Sequence, residues 1–75
     1  MIIVTIPRIF CTQVVDIFET AGFVVNDVND EGVILSIDKL PNLIKEAIMA
    51  EVLATLDHNY IDAEDLASSI SFIER

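Results

Sequence analysis

The beginning of the chain changes from a strand-like to a helix-like hydrophobic pattern. Residues 2–6 are almost all β-branched and are followed by Pro7, which predicts a strand that ends there. From residue 9 to 21, apolar and polar residues fall on opposite sides of a helical wheel, which predicts an amphipathic helix. Its apolar side consists of Phe10, Cys11, Val14, Val15, Ile17, Phe18 and Ala21. Gly22 follows at the position where helices commonly take a left-handed residue.

A hairpin is predicted next. Two β-rich runs, residues 23–25 and 33–37, are separated by Asn29-Asp30-Glu31-Gly32. Glycine at the end of such a turn supplies a positive φ at no steric cost, so we expect a tight turn between two antiparallel strands.

Two helices are predicted after the hairpin. The first covers about residues 40–56, with Asp38 as its cap and Pro41 in its first turn. The second begins near residue 63 behind Asp62, because apolar residues recur there at i, i+4 and i+7. These apolar residues are Leu66, Ile70 and Ile73.

The element order β-α-β-β-α-α predicts one α+β domain over residues 1–75. A right-handed crossover from the first strand to the second leaves room for the third between them. We therefore expect a three-stranded antiparallel sheet, order 1-3-2, with the helices on one face. This arrangement resembles a truncated ferredoxin-like βαββαβ unit whose fourth strand is missing or reduced to Asn59-Tyr60-Ile61. Amino-acid-sensing regulatory domains of the ACT type share this topology, although they usually carry a glycine where this chain has Pro7-Arg8-Ile9.

Composition limits the class of protein. The chain has 75 residues, of which 53% are apolar, and 13 acidic against 4 basic residues give a net charge of −9. So much apolar sequence predicts a folded domain, and so few cations argue against direct binding to nucleic acid. The single cysteine excludes an internal disulfide and is typical of a reducing compartment. With no basic segment before residues 2–6 and no long apolar run, we expect no targeting segment, no membrane span and a cytoplasmic location.

The segment from Asp27 to Asp38 matches part of a calcium-binding EF-hand loop. Acidic or amide side chains stand at positions 1, 3 and 5, and Gly32 stands at position 6. Position 12 is the short Asp38 rather than glutamate, position 9 is Leu35, and the flanking residues are strand-like. We therefore interpret the segment as a polar hairpin turn and expect no metal there.

The sequence offers no constellation for catalysis. His58 is the only histidine, and its position at a helix end is explained by the helix dipole and by Asp57. Cys11 lies on the apolar side of the first helix, where a thiol is inert. No glycine-rich phosphate loop is present, and no base stands ready to activate a serine. We expect no catalytic residues, no cofactor and no enzyme activity.

Acidic residues are concentrated in the second half of the chain. Residues 46–74 hold seven acids and no lysine or arginine, whereas the first 15 residues hold no acid. A surface of one sign attracts a basic partner; the alternative is that the charge only keeps an apolar domain soluble. The predicted contact set lies where one helix ends and the next begins: Asp57, Asp62, Glu64 and Asp65.

The helix over residues 40–56 is apolar on two sides. One stripe consists of Leu43, Ala47, Ala50 and Ala54, and the other of Met49, Val52, Leu53 and Leu56. A small domain has difficulty covering both, so we predict self-association, as a dimer, through the second stripe. The alternative is that the last helix covers that stripe.

These features favour a small acidic protein-binding module. Its expected role is that of an inhibitor or regulator which occupies a basic, nucleic-acid-binding surface of another protein. Small acidic chains that phages encode against host defence enzymes are similar in size and charge. Two alternatives stay open: a homo-oligomeric structural or adaptor domain, and a ferredoxin-like sensor that binds a small ligand or cation.

Overall fold

A computed structural model describes residues 1–8 and 12–75 of the chain. Predictions for Ile9, Phe10 and Cys11 lie outside the described residues. Seven elements follow one another along the rest: β1 (Ile2–Ile6), α1 (Thr12–Thr20), β2 (Val24–Asn29), β3 (Gly32–Ile37), α2 (Asn42–Asn59), α3 (Ala63–Ser68) and β4 (Ser71–Glu74).

The strands form one antiparallel sheet in the order β2-β3-β1-β4. The α+β class and the neighbourhood of the first three strands are confirmed. The prediction of only three strands is wrong, because β4 adds a fourth at the free edge of β1. With it, the element order is that of a complete βαββαβ unit of ferredoxin-like topology, with α3 inserted before the last strand.

The fourth strand lies where the sequence pattern predicted the end of a helix. α3 stops at Ser68, and the N–H groups of Ser69 and Ile70 bond to carbonyls one turn back. Beyond them Phe72 and Ile73 point to opposite faces of the sheet, opposite Val4 and Ile3 of β1. The i, i+4, i+7 spacing therefore joined residues of a helix, a connector and a strand. The alternative fourth strand at residues 59–61 is also wrong, since α2 continues to Asn59.

The predicted hairpin is confirmed. Asn29 pairs with Gly32, which leaves Asp30 and Glu31 as the turn, and Gly32 has a φ of +143°. The N–H of Glu31 donates to Oδ1 of Asn29 at 2.8 Å, and this bond stabilises the turn. Asp38 follows the far end of β3, about 20 Å of strand away from the turn. The residues that match an EF-hand are therefore extended along two strands.

The helix boundaries differ from the prediction by a few residues. α2 begins at Asn42 with Pro41 as its N-cap, so Asp38 lies too far upstream to cap it. The ring of Pro41 disfavours helical backbone at the preceding Leu40, so the helix cannot start at residue 40. At the end of α1, Gly22 has a φ of +110°, as predicted.

The hydrophobic core lies between one face of the sheet and the two long helices. Val4, Ile6 and Leu35 of the strands meet Phe18 of α1 and Leu56 of α2, and all five are buried. The ring of Phe18 packs edge-to-face on Phe23 with centroids 5.2 Å apart. Because successive strand residues point to opposite faces, Ile3, Thr5, Ile34 and Ser36 lie on the other side of the sheet, which we call the open face.

Candidate protein-binding site

The connection between α2 and α3 exposes its side chains to solvent because the residues before and after it are packed against the core. Tyr60 ends α2 in an extended conformation, its N–H donates to the carbonyl of Leu56 at 2.7 Å, and its side chain packs against the core. Three residues later Ala63 is buried at the start of α3. The intervening Ile61 and Asp62 therefore stand out from the surface, and Ile61 is 99% exposed.

The four acidic residues of the predicted contact set line one shallow depression here. Asp57 comes from the end of α2, Asp62 from the connection, and Glu64 and Asp65 from the first turn of α3. The depression has a volume of about 320 Å³ and is also lined by Ile61. We call these four carboxylates, with Ile61 among them, the acidic site. Asp62 holds the N-cap position of α3, but its side chain makes no capping hydrogen bond.

Cations lie mostly at the opposite end of the molecule. The acidic site is at the upper end of the sheet, where β1 and β2 finish and β3 and β4 begin. Lys39 and Lys45 lie at the lower end, where α2 starts, and Lys45 stands over the ring of Phe72 at 4.6 Å from its centroid. Arg8 is at the upper end, but its guanidinium group pairs with the carboxylate of Asp30 at 3.5 Å. This is the one side-chain ion pair found among the described residues. The acidic site therefore projects an uncompensated negative field.

The carboxylates do not converge on one point. Within residues 1–8 and 12–75, no group of three or more histidine, cysteine, aspartate or glutamate side chains is placed to hold a metal ion. Separated carboxylates around an apolar side chain suit contacts with several lysine or arginine side chains of another molecule.

The second predicted set of residues, meant for self-association, faces the inside of the chain. Val52 and Leu56 are fully buried, and Met49 and Leu53 are half-buried against the core. Val52 and Leu56 therefore have no surface to offer a second copy. The sheet and residues 63–70 pack against this stripe, as in the alternative in which the end of the chain covers it. The fourth strand, β4, is the part of this cover that the sequence did not predict.

A groove between α1 and α2 was not foreseen from the sequence. The two helices run antiparallel and leave a cavity of about 450 Å³ near the upper end, lined among others by Asp16, Ala54 and His58. A second cavity of about 280 Å³ continues it toward the lower end, with Ala47 and Glu51 in its lining. His58 lies in the last turn of α2, which continues beyond the predicted helix end at about residue 56.

Ile61 is the residue of the acidic site that sequence reasoning missed. Its neighbours Asn59 and Tyr60 were interpreted together with it as a short strand, which would have covered the side chain. The run of acids on its C-terminal side was the available signal that this segment faces solvent.

No α-helix in the described part of the chain is both long and apolar enough to cross a membrane.

The chain was compared with models of protein families, with curated proteins and with solved structures. None of the three comparisons finds a match. The geometry of the acidic site is therefore the evidence for the function of this chain.

Proposed function

We propose that this chain is a small acidic module that binds another protein and regulates or inhibits it. Its acidic site would occupy a basic surface of the partner, one that otherwise binds nucleic acid. The observation that carries the proposal is the grouping of Asp57, Asp62, Glu64 and Asp65 around the fully exposed Ile61. The lone cysteine favours action in the cytoplasm.

Ile61 supplies the apolar contact surface that a cluster of carboxylates lacks. Protein interfaces commonly have an apolar centre and a polar rim, and charged pairs at a solvated rim contribute little affinity. Burying an isoleucine side chain contributes about 1.5–3 kcal/mol. An exposed isoleucine amid carboxylates therefore combines an apolar anchor with a charged rim.

The chemistry of the rim indicates the kind of partner. Carboxylates bind lysine and arginine through charge-assisted hydrogen bonds, as phosphate groups do. A protein surface that holds a phosphate backbone is rich in these two residues. The acidic site would compete with nucleic acid for such a surface, and its field would speed the encounter.

The test is capture from extracts of the cells in which the chain is made, followed by competition. The test variant carries Asp62→Asn, Glu64→Gln and Asp65→Asn, which removes three charges and keeps the shape of the site. The matched control carries Glu19→Gln, Asp38→Asn and Glu46→Gln, three exposed acids outside the site that remove the same charge.

We expect the wild type and the control to capture a protein that the test variant binds at least tenfold more weakly. The captured protein should bind nucleic acid at least tenfold more weakly in the presence of the wild-type chain. Equal capture by both variants, or capture without any effect on nucleic-acid binding, would contradict the proposal.

Self-association is a second candidate function, favoured by the open face of the sheet. One row of paired residues crosses all four strands there: Val24, Ser36, Ile3 and Ile73. The row contains no charged side chain in a protein of net charge −9. Among the paired residues of this face, Asp27 carries the one carboxylate, opposite Ile34 on the edge strand. Two copies could pack the row at Val24 together without bringing the carboxylates of the acidic site into contact. A module of this kind would be a homo-oligomer, with or without a basic partner.

A further inference from the structure

The groove between α1 and α2 is a continuous surface along both helices. Ile17 of α1 lines both the upper and the lower cavity. On α2 the lining extends from Ile44 to His58, which is four turns, or about 21 Å at 1.5 Å per residue. The length of the groove matches one helix of similar length rather than a compact ligand.

The floor and walls of the groove are apolar and partly flat. Ala47 and Ala54 stand two turns apart on α2, and both are exposed. Their methyl side chains leave room for larger side chains of another molecule, and Ile17 and Ile44 provide the apolar surface between and below them. A third helix packed on an antiparallel pair buries such a surface in the manner of a helical bundle.

The charges along the groove have one sign. Asp16 lines the upper cavity and Glu51 the lower one, and neither has an ion-pair partner among residues 1–8 and 12–75. Among the residues that the structure describes, neither cavity has a lysine or arginine in its lining. Lys45, the cation of α2, lies on another side of the helix, over the ring of Phe72.

We propose that this groove binds a basic amphipathic helix of another protein. Apolar side chains at i, i+3, i+4 and i+7 of that helix would fill the two cavities on either side of Ile17. Lysine or arginine side chains beside this stripe would face Asp16 and Glu51. This surface is separate from the acidic site and takes a helical segment rather than a folded basic surface.

The probe for the test is a synthetic peptide of leucine and lysine. It has about 18 residues, five helical turns, with leucine at i, i+3, i+4 and i+7 spacing and lysine elsewhere. A peptide of the same composition in scrambled order keeps the charge but has no apolar stripe. Affinities are measured by calorimetry or fluorescence anisotropy with the full chain.

Three alanines of α2 provide matched variants. Ala47→Arg and Ala54→Arg place a large cation in the groove, whereas Ala50→Arg makes the same change on the exposed side of the same helix. All three raise the net charge equally. We expect the amphipathic peptide to bind the wild type at least tenfold more tightly than the scrambled one. Ala54→Arg and Ala47→Arg should weaken its binding at least tenfold, and Ala50→Arg less than threefold.

Equal binding of both peptides, or equal loss in Ala50→Arg and Ala54→Arg, would overturn the proposal, because affinity would then follow net charge alone. Mapping of amide chemical shifts on the wild type gives an answer that needs no variant. Shifts at Ile17, Ala47 and Ala54 support the groove, whereas shifts confined to Asp57 and residues 61–65 overturn it in favour of the acidic site. A wild-type dimer that Ala54→Arg converts to a monomer would show that a second copy fills the groove, and would overturn it too.

Discussion

Gly32 faces the carbonyl group of Ile6 across the β1–β3 pair so closely that no larger residue fits. A β-carbon built on Gly32 would lie 2.8 Å from the carbonyl carbon of Ile6 and closer still to its oxygen. The φ of Gly32 is +143°, a backbone conformation that other residues rarely adopt. The end of the hairpin can therefore pack against the end of β1 only because Gly32 has no side chain.

Replacing Gly32 by alanine should destabilise the fold strongly. We expect Gly32→Ala to lower the free energy of unfolding by roughly 3 kcal/mol or more, since the backbone strain adds to a clash with main-chain atoms. Gly22→Ala is the matched control. It also places alanine at a positive φ, but its β-carbon would meet only Cδ1 of Ile37 at 3.6 Å, an ordinary contact. Its cost should be about 1–2 kcal/mol. Urea unfolding of both variants measures the difference, and equal losses would show that the clash is relieved at no cost.

The burial of α2 leads to a second prediction. Leu56 is 0% exposed and Leu43 on the same helix is 80% exposed. Leu56→Ala should lower the free energy of unfolding by about 2–5 kcal/mol, because it opens a cavity in the core. Leu43→Ala should change it by less than about 0.5 kcal/mol. Thermal or urea unfolding followed by circular dichroism gives both values. Should Leu56→Ala prove as mild as Leu43→Ala, the packing of α2 on the sheet would be contradicted.

Most of the sheet could be predicted from the sequence because its signals are local. The β-branched run of residues 2–6, the turn at Gly32 and the handedness of the crossover determine three strands and their order. β4 could not be predicted in this way. Its four residues are too few to show alternation, and Ile70 and Ile73 fit a helical spacing when they are joined to Leu66.

The candidate site was accessible to sequence reasoning only where charge mattered. Charged side chains stay in solvent, so the acids around the α2–α3 connection could be grouped from their positions alone. Apolar residues carry no such information, since the same isoleucine fits a core or an interface. Ile61 is exposed and Val52 is buried because of where α3 and β4 pack, and that depends on long-range contacts.

Self-association through the open face gives a third prediction. Val24 and Val28 lie on the same edge strand and are both 63% exposed. Val24 pairs with Ser36 and so faces the open side, whereas Val28 pairs with Val33, which packs against the core on the helical side. If copies associate through the open face, the mass from sedimentation should rise above the 8.3 kDa of one chain with increasing concentration. Val24→Glu should abolish this rise, because it buries an unpaired charge, and Val28→Glu should leave it unchanged. A rise that both variants preserve would place the contact elsewhere.

In the acidic site, the carboxylates should determine the association rate and Ile61 the dissociation rate. Surface plasmon resonance measures both rates once the partner is captured. The carboxylates act through a long-range field, and the Debye length falls from about 10 Å at 0.1 M salt to about 3 Å at 1 M. The variant with Asp62→Asn, Glu64→Gln and Asp65→Asn should therefore associate at least tenfold more slowly at low salt and depend less on salt, with a small change in dissociation. Ile61→Ser should do the reverse, with an unchanged association rate and dissociation at least tenfold faster, because it removes the anchor that is buried only in the complex. Since Ile61 is 99% exposed in the free chain, this variant should unfold like the wild type. If the association rate of the wild type ignores salt and Ile61→Ser dissociates normally, the acidic surface serves solubility alone.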